Sequence, residues 1–346
     1  MRLDFIRPLY ERRGPYASVY LSALDRRERE KNWRGLRAQL RGEVDPDTLD
    51  ALEAEAEAEA EAEAAGSVAG RVMFATHGDV VLAETLAEVP ELAAYSPLPL
   101  VTPMLMLRGE NVPHLRAIVD HAGTELTVFG SGSPRRATVA AAPWPLHRTS
   151  WGGWSHQRYE RDMEEAWEES ANAVAHEIDE QVRRLGLELV VVAGDPKSRS
   201  LLCDHLGTKS VDRVLMVEHG SRADHEQFER DVETALDSYL DRRRAELLDR
   251  YRETGGPTGL AEVAHALREG RVHAVLMPGK VAKPMWIGGG GGTQLATAPQ
   301  ELRGWGVDDP VPERADSALA RAATMTDAEL WFSPEISDAA AVIRYL

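Results

Sequence analysis

The spacing of apolar residues along the chain alternates between short strand-like runs and long helical stripes. Tyr16-Ala17-Ser18-Val19-Tyr20-Leu21 reads as a strand, and Arg26 to Arg41 as a charged helix carrying Trp33, Leu36 and Leu40 on one face. Asp45-Pro46 opens a second helix that runs into an alternating Glu-Ala tract from Glu53 to Ala64. A period of two suits a strand, but Ala and Glu both favour helix, so the tract is expected as a solvated helical extension or a partly disordered arm. Val72 to Ala75 and Val80 to Ala83 flank His77-Gly78-Asp79 and predict a hairpin.

Prolines at 97, 99 and 103 mark a change of regime, after which Leu115 to Val119, Glu125 to Phe129 and Ala137 to Ala141 predict three more strands. A helix is expected from Glu160, because Met163, Trp167, Ala171, Val174, Ile178, Val182 and Leu185 recur at three- and four-residue spacing. Gly186 closes it. Leu187 to Ala193 and Val214 to Val217 are near-continuous apolar runs, as in strands covered on both faces. Between them Asp195-Pro196 reads as an N-cap followed by a proline at the first helical position. A long charged helix is expected over 224–252. Gly255-Gly256-Pro257 then reads as a hinge. Beyond it, Thr258 is expected to cap a helix bearing Leu260, Val263, Ala264 and Leu267. A strand at Val272 to Met277, a helix near Ala315 to Ala323 and a strand at Glu329 to Phe332 complete a predicted α/β/α sandwich. The fold class is therefore α/β, with three domains expected over 1–113, 114–254 and 255–346.

Composition narrows the function. At 43% hydrophobic and 28% charged residues the chain is an ordinary globular protein. No apolar run approaches the roughly 20 residues of a membrane span. The first residues lack the basic-then-apolar layout of a secretion signal, and a cytoplasmic location is expected. Cys203 is the single cysteine, so no disulfide framework or cysteine-rich zinc site is expected. A net charge of −17 argues against a general nucleic-acid coat. The charge is uneven, however: Arg135 to Arg161 holds five arginines against one acid, Glu160.

That basic stretch contains the candidate site. Around Gly152-Gly153, which allow a sharp turn, Trp151, Trp154, His156 and Tyr159 offer flat faces for bases. Arg148, Arg158 and Arg161 offer charge for phosphates. The competing reading is a hairpin loop with buried tryptophans. Elsewhere the chemistry is thin. The five glycines from 288 to 292, followed by Thr293 and Gln294, lack the lysine of a phosphate loop and the spacing of a dinucleotide fingerprint, so a surface loop is expected. Histidines 147, 156, 205, 219 and 225 show no metal-ligand spacing. No metal or cofactor is expected.

The decapeptide Gly152-Gly153-Trp154-Ser155-His156-Gln157-Arg158-Tyr159-Glu160-Arg161 resembles the Gly-Gly-Gln-Ser-x-x-Arg-Phe-x-Arg signature of archaeo-eukaryotic class-one release factors and Pelota. The following long helix, the strand Leu189 to Gly194, a short helix, another strand and a glycine-rich entry to an α/β/α domain keep the family's order. The resemblance covers residues 114–346. It implies a release-factor-like middle domain and a C-terminal domain of the release-factor and ribosomal-protein type. The N-terminal part resembles the divergent domain of the family's bacterial branch, which includes the ribosome hibernation factor Balon and its actinobacterial relatives.

The resemblance implies a ribosomal partner, through rRNA and a P-site tRNA, and a translational GTPase that meets the C-terminal domain; no membrane partner is expected. It also implies that Arg148, Trp151, Gly152, Gly153, Trp154, Ser155, His156, Gln157, Arg158 and Arg161 touch RNA. One departure changes the chemistry. Trp154 stands where the family has the glutamine that positions the hydrolytic water, and an indole has one N–H donor and no acceptor. The codon-reading Asn-Ile-Lys-Ser motif is also absent. The leading expectation is a hibernation factor that blocks the peptidyl transferase centre without hydrolysis. Two alternatives stand beside it: a rescue enzyme that hydrolyses peptidyl-tRNA or cleaves the tRNA, using Gln157 or His156, and a stress-associated interaction protein that has lost ribosome binding.

Overall fold

The computed structural model describes residues 1–22, 26–62, 70–86, 89–109, 112–120, 123–130, 132–139, 154–218, 225–289 and 291–344. They form two units, one built from Met1–Glu110 with Arg244–Leu346 and one from Asn111–Arg243.

The first unit begins with a single helical turn, α1 (Pro8–Glu11). A four-stranded antiparallel sheet in the order β3-β2-β1-β4 follows, made of β1 (Tyr16–Leu21), β2 (Gly70–Thr76), β3 (Asp79–Leu86) and β4 (Leu92–Ser96). Successive strand residues point to opposite faces. Ala17, Val19, Leu21, Met73 and Ala75 pack against Trp33, Leu36 and Leu40 of α2 (Arg26–Leu40) and Leu49 and Leu52 of α3 (Pro46–Ala62). The Glu-Ala tract is helical as expected, as far as Ala62. The β2–β3 turn places His77 and Gly78 at φ 51° and 81°, the left-handed pair that a two-residue hairpin turn demands.

The opposite face of this sheet presents Tyr16, Tyr20, Val72 and Phe74. They share one core with Met104 and Leu105 of α4 (Thr102–Arg108), a helix that the sequence reading did not predict.

The second unit is a mixed five-stranded sheet in the order β7-β6-β5-β8-β9. Its strands are β5 (His114–Asp120), β6 (Gly123–Gly130), β7 (Gly132–Val139), β8 (Leu189–Gly194) and β9 (Val214–Met216). On one face Leu115, Ala117, Leu126, Val190 and Val192 meet Val174, Ile178 and Val182 of α5 (Trp154–Leu185), with Leu202 of α6 (Pro196–His205). On the other, Leu189, Val191 and Ala193 meet Phe228 and Val232 of α8 (His225–Thr254). The short helix α7 (Thr208–Val211) leads into β9. The expected helix cap is present: the Asp195 carboxylate accepts from Lys197 N at 3.0 Å and Ser198 N at 3.2 Å. Val214 to Met216 is not the covered strand expected from its apolar run. It is the sheet's edge, with Met216 55% exposed.

The chain returns to the first unit inside α8. There it forms α9 (Leu260–Arg268), β10 (Val272–Met277), β11 (Pro284–Ile287), β12 (Leu295–Ala296), α10 (Pro299–Gly304), β13 (Val311–Arg314), α11 (Ala315–Met325), β14 (Glu329–Phe332) and β15 (Ala340–Ile343). A mixed sheet β14-β10-β15 and an antiparallel sheet β12-β11-β13 result. Val263, Leu267, Val275, Met277 and Leu319 complete the core begun by Tyr20 and Phe74. Polar contacts seal the same seam: Leu98 N donates to Glu313 Oε2 at 2.9 Å, and Arg7 reaches Thr324 O at 2.8 Å. The segments expected as first and last domains thus fold into one unit.

Two local expectations are corrected. The hinge at Gly255-Gly256-Pro257 is tied down, since Ala341 N donates to Pro257 O at 3.0 Å and a Cβ on Gly256 would lie 2.3 Å from Ala341 O. Thr258 does not cap α9. Gly259 holds the N-cap position at φ 83°, and Thr258 N itself donates to Glu262 Oε2 at 2.9 Å.

Candidate functional site

Helix α5 carries the candidate tip. It begins at Trp154 and runs 32 residues. Trp154, Gln157, Arg158 and Arg161 occupy helix positions i, i+3, i+4 and i+7, one line along the axis. Ser155 and His156 sit in the same first turn. That turn has unbonded backbone N–H groups and the positive end of the helix dipole, which together favour an anionic partner. Arg148, Trp151, Gly152 and Gly153 lie outside the described residues, and of the first part of α5 the backbone alone is described.

The stem below the tip has a distinct character. Glu168, Glu169, Asn172 and Ala173 are exposed, and Val174 is the first residue of α5 in the core among those whose burial is described. At 1.5 Å per residue, Trp154 stands about 30 Å along the helix from Val174. Alanine and glutamate sustain a helix there by intrinsic propensity.

A second constellation sits at the start of β5, and the sequence reading missed it. His114 is buried, its Nδ1 lies 2.8 Å from Val112 O, and its Nε2 accepts from Arg116 Nε at 3.1 Å. These partners fix a neutral ring with the proton on Nδ1. Arg116 also donates to both carboxylate oxygens of Glu229, at 2.9 and 2.8 Å, and stands 3.9 Å over the Phe129 ring, which stacks on His114. Burial holds the His114 imidazole below its ordinary titration range, with the Arg116 charge acting the same way and the Val112 bond and Glu229 opposing it. The alternation His114-x-Arg116 was visible in the chain; Glu229, 113 residues beyond Arg116, was not. Every group here is satisfied internally, so the cluster reads as a brace joining β5, β6 and α8. Among the described residues no group of histidine, cysteine and acidic side chains is arranged to hold a metal ion.

The second unit is thus a mixed sheet with the long helices α5 and α8 packed on its two faces. The sequence model of bacterial archaeo-eukaryotic release factor family 2 matches residues 113–257, which hold the second unit and the end of α8, and bears out the likeness to a bacterial release-factor and Pelota-like family. An uncharacterized protein of Mycobacterium tuberculosis, in strains CDC 1551 / Oshkosh and ATCC 25618 / H37Rv, is 28% identical over 350 residues, covering 95% of this chain and 92% of the relative. Among solved structures, Saccharomyces cerevisiae Dom34, a termination-like factor, aligns over 80% of this chain and 81% of its own at 10% identity and a TM-score of 0.41. The archaeal translation termination factor aRF1 aligns over 98% and 96% at 12% identity and a TM-score of 0.24. No described helix is long and apolar enough to cross a membrane.

Proposed function

We propose that this protein is a ribosome-associated factor that enters the vacant A site and occupies the peptidyl transferase centre without catalysing hydrolysis. The release-factor relationship of residues 113–257 supports a ribosome-associated translation factor and carries the reading. The finer steps are the proposal's own. Gly152 and Gly153 let the chain turn, Trp154 and His156 wedge or stack, and Arg148, Arg158 and Arg161 meet rRNA or tRNA phosphates. The stem of α5 supplies reach. Trp154 fills the place of the family's catalytic glutamine, and its lone N–H cannot orient an attacking water. Residues 255–346 resemble the family domain that meets a translational GTPase, which makes such a GTPase the second partner.

The test is co-sedimentation of the purified chain with vacant ribosomes at modest salt, with wild type and Arg158→Glu. Wild type should pellet with ribosomes and the variant should be depleted several-fold. A wild type that stays in the supernatant removes the reading and favours an interaction protein without ribosome binding. One observation keeps an enzymatic reading alive: Gln157 falls in the first turn of α5, in line with Trp154. Stalled peptidyl-tRNA complexes decide it. Release by wild type that Gln157→Ala abolishes would make the protein a rescue hydrolase, and a parallel assay for tRNA cleavage covers the nuclease form.

A further inference from the structure

Helix α2 carries a charge pattern that its packing does not explain. Trp33, Leu36 and Leu40 turn one face of it onto the sheet. The face pointing away holds Arg27, Lys31, Arg34 and Ala38, all exposed, and Arg41 follows, exposed as well, one residue past the helix end. Spacings of four, three and four residues set the first four on one line along the axis. No acid stands on that line, in a chain where acids outnumber bases 57 to 40. Glu28 and Glu30, the acids of α2, lie to either side of it.

Cations that turn toward the fold are paired. Arg37 of α2 meets Asp50 of α3 at 3.1 Å and Glu53 of the same helix, and Arg71 of β2 meets Glu55. The acidic helix α3 thus neutralises its neighbours and leaves the outer line alone. Arg27, Lys31 and Arg41 have no hydrogen bond or ion pair among the described residues. Arg34 has one bond, from Nε to the backbone oxygen of Glu30 at 3.0 Å. Like charges three and four residues apart repel along a helix. The line therefore weakens α2, and no ion pair among the described residues offsets the repulsion.

We infer that the outer face of α2 is a binding surface for the phosphate backbone of an RNA strand, with Arg27, Lys31 and Arg34 meeting phosphates and Arg41 extending the track. A line of cations matches an anion that repeats along a line rather than a single small one. At 1.5 Å per residue, Arg27 to Arg34 spans about 10 Å, the rise of roughly three phosphates of one strand. The arginine forks can hold phosphate oxygens in pairs, and the lysine adds a mobile point charge. A lipid surface fits less well. A helix lying in a membrane interface needs a free apolar face, and that of α2 is covered by the sheet. The net charge of −17 keeps the contact local, because the chain as a whole repels RNA. The surface belongs to the first unit and is read from α2 alone, so it does not rest on the tip of α5.

The full chain is titrated by fluorescence anisotropy with a labelled single-stranded RNA of mixed sequence over a salt series. Four proteins are compared: wild type, a triple variant (Arg27→Gln, Lys31→Gln and Arg34→Gln), the tip variant Arg158→Glu, and all four changes together. For a single strand each neutralised phosphate adds about 0.7 to the slope of log affinity against log salt. The triple variant should therefore lower the slope by about 2 and weaken binding at least about tenfold at low salt, with or without the change at Arg158. Its thermal midpoint should stay equal or rise, because exposed like charges have been removed. A slope that falls with the triple variant and not with Arg158→Glu supports this surface and counts against the tip. A slope that falls only with Arg158→Glu overturns this surface and leaves the tip standing. Wild type that binds no RNA, or a triple variant with the wild-type slope, overturns it too. So does tighter binding to poly-glutamate of equal length, or to phosphatidylserine–phosphatidylcholine vesicles, than to the RNA.

Discussion

Helices α11 and α5 show two ways of using a helix in this protein. Every residue of α11 from Ala315 to Thr324 is buried, and its run of alanines lets neighbouring elements approach closely. Helix α5 is nearly three times as long, yet its described core residues begin at Val174. The first is held by packing and by the hydrogen bonds of Asp316 and Arg321. The second packs Val174, Ile178 and Val182 into a core and leaves Glu168, Glu169, Asn172 and Ala173 exposed just before them. That exposed stretch is sustained by helix propensity rather than by burial.

The contrast can be broken at graded cost. Truncation of a fully buried α11 residue, Leu319→Ala, should lower stability by about 2–5 kcal/mol in denaturant unfolding. An undiminished midpoint would mean that α11 is not core. In the second unit Asp195→Ala removes the cap of α6, which packs beside α5, and should lower stability by about 1 kcal/mol. Because the units can melt separately, calorimetry should show this loss in one transition only.

A smaller effect follows from His114. Its folded pKa lies below the ordinary value of about 6.5, so below pH 6.5 the unfolded chain binds more protons than the native one. The stability it supports is therefore complete above 6.5 and is lost as pH falls through the folded value. Glu313, whose carboxyl burial pushes up, works with the opposite sign in the other unit. The check is accordingly a comparison of wild type with His114→Gln between pH 7.5 and 5, and the variant's second-unit transition should depend less on pH. Smallest of all, Asn172→Ala on the exposed stem should change stability by less than about 0.5 kcal/mol. A loss of several times that size would place the stem against a surface.

What could be read from the sequence was local. The stripe Val174, Ile178, Val182 repeats within one helix, and the turn at His77-Gly78 and the cap at Asp195 are written in adjacent residues. Missing were β4, α4 and the small sheet β12-β11-β13, whose strands are short and owe their pairing to partners elsewhere. The run Val214 to Met216 misled because hydrophobicity alone does not say whether a strand has a second neighbour. The candidate tip was legible as a motif, while the brace of His114, Arg116 and Glu229 depends on residues brought together across more than a hundred positions. Long-range chemistry of that kind leaves no periodic trace.

The split composition of the first unit also sets an order of events during synthesis. One face of the β3-β2-β1-β4 sheet, with Tyr20 and Phe74, is covered by residues from Leu260 onward. Residues 111–243 form a contiguous unit and are made before that cover exists. As the chain leaves the ribosome that makes it, the middle of the protein can therefore finish folding while its beginning still waits, half-built, for the last quarter to be translated.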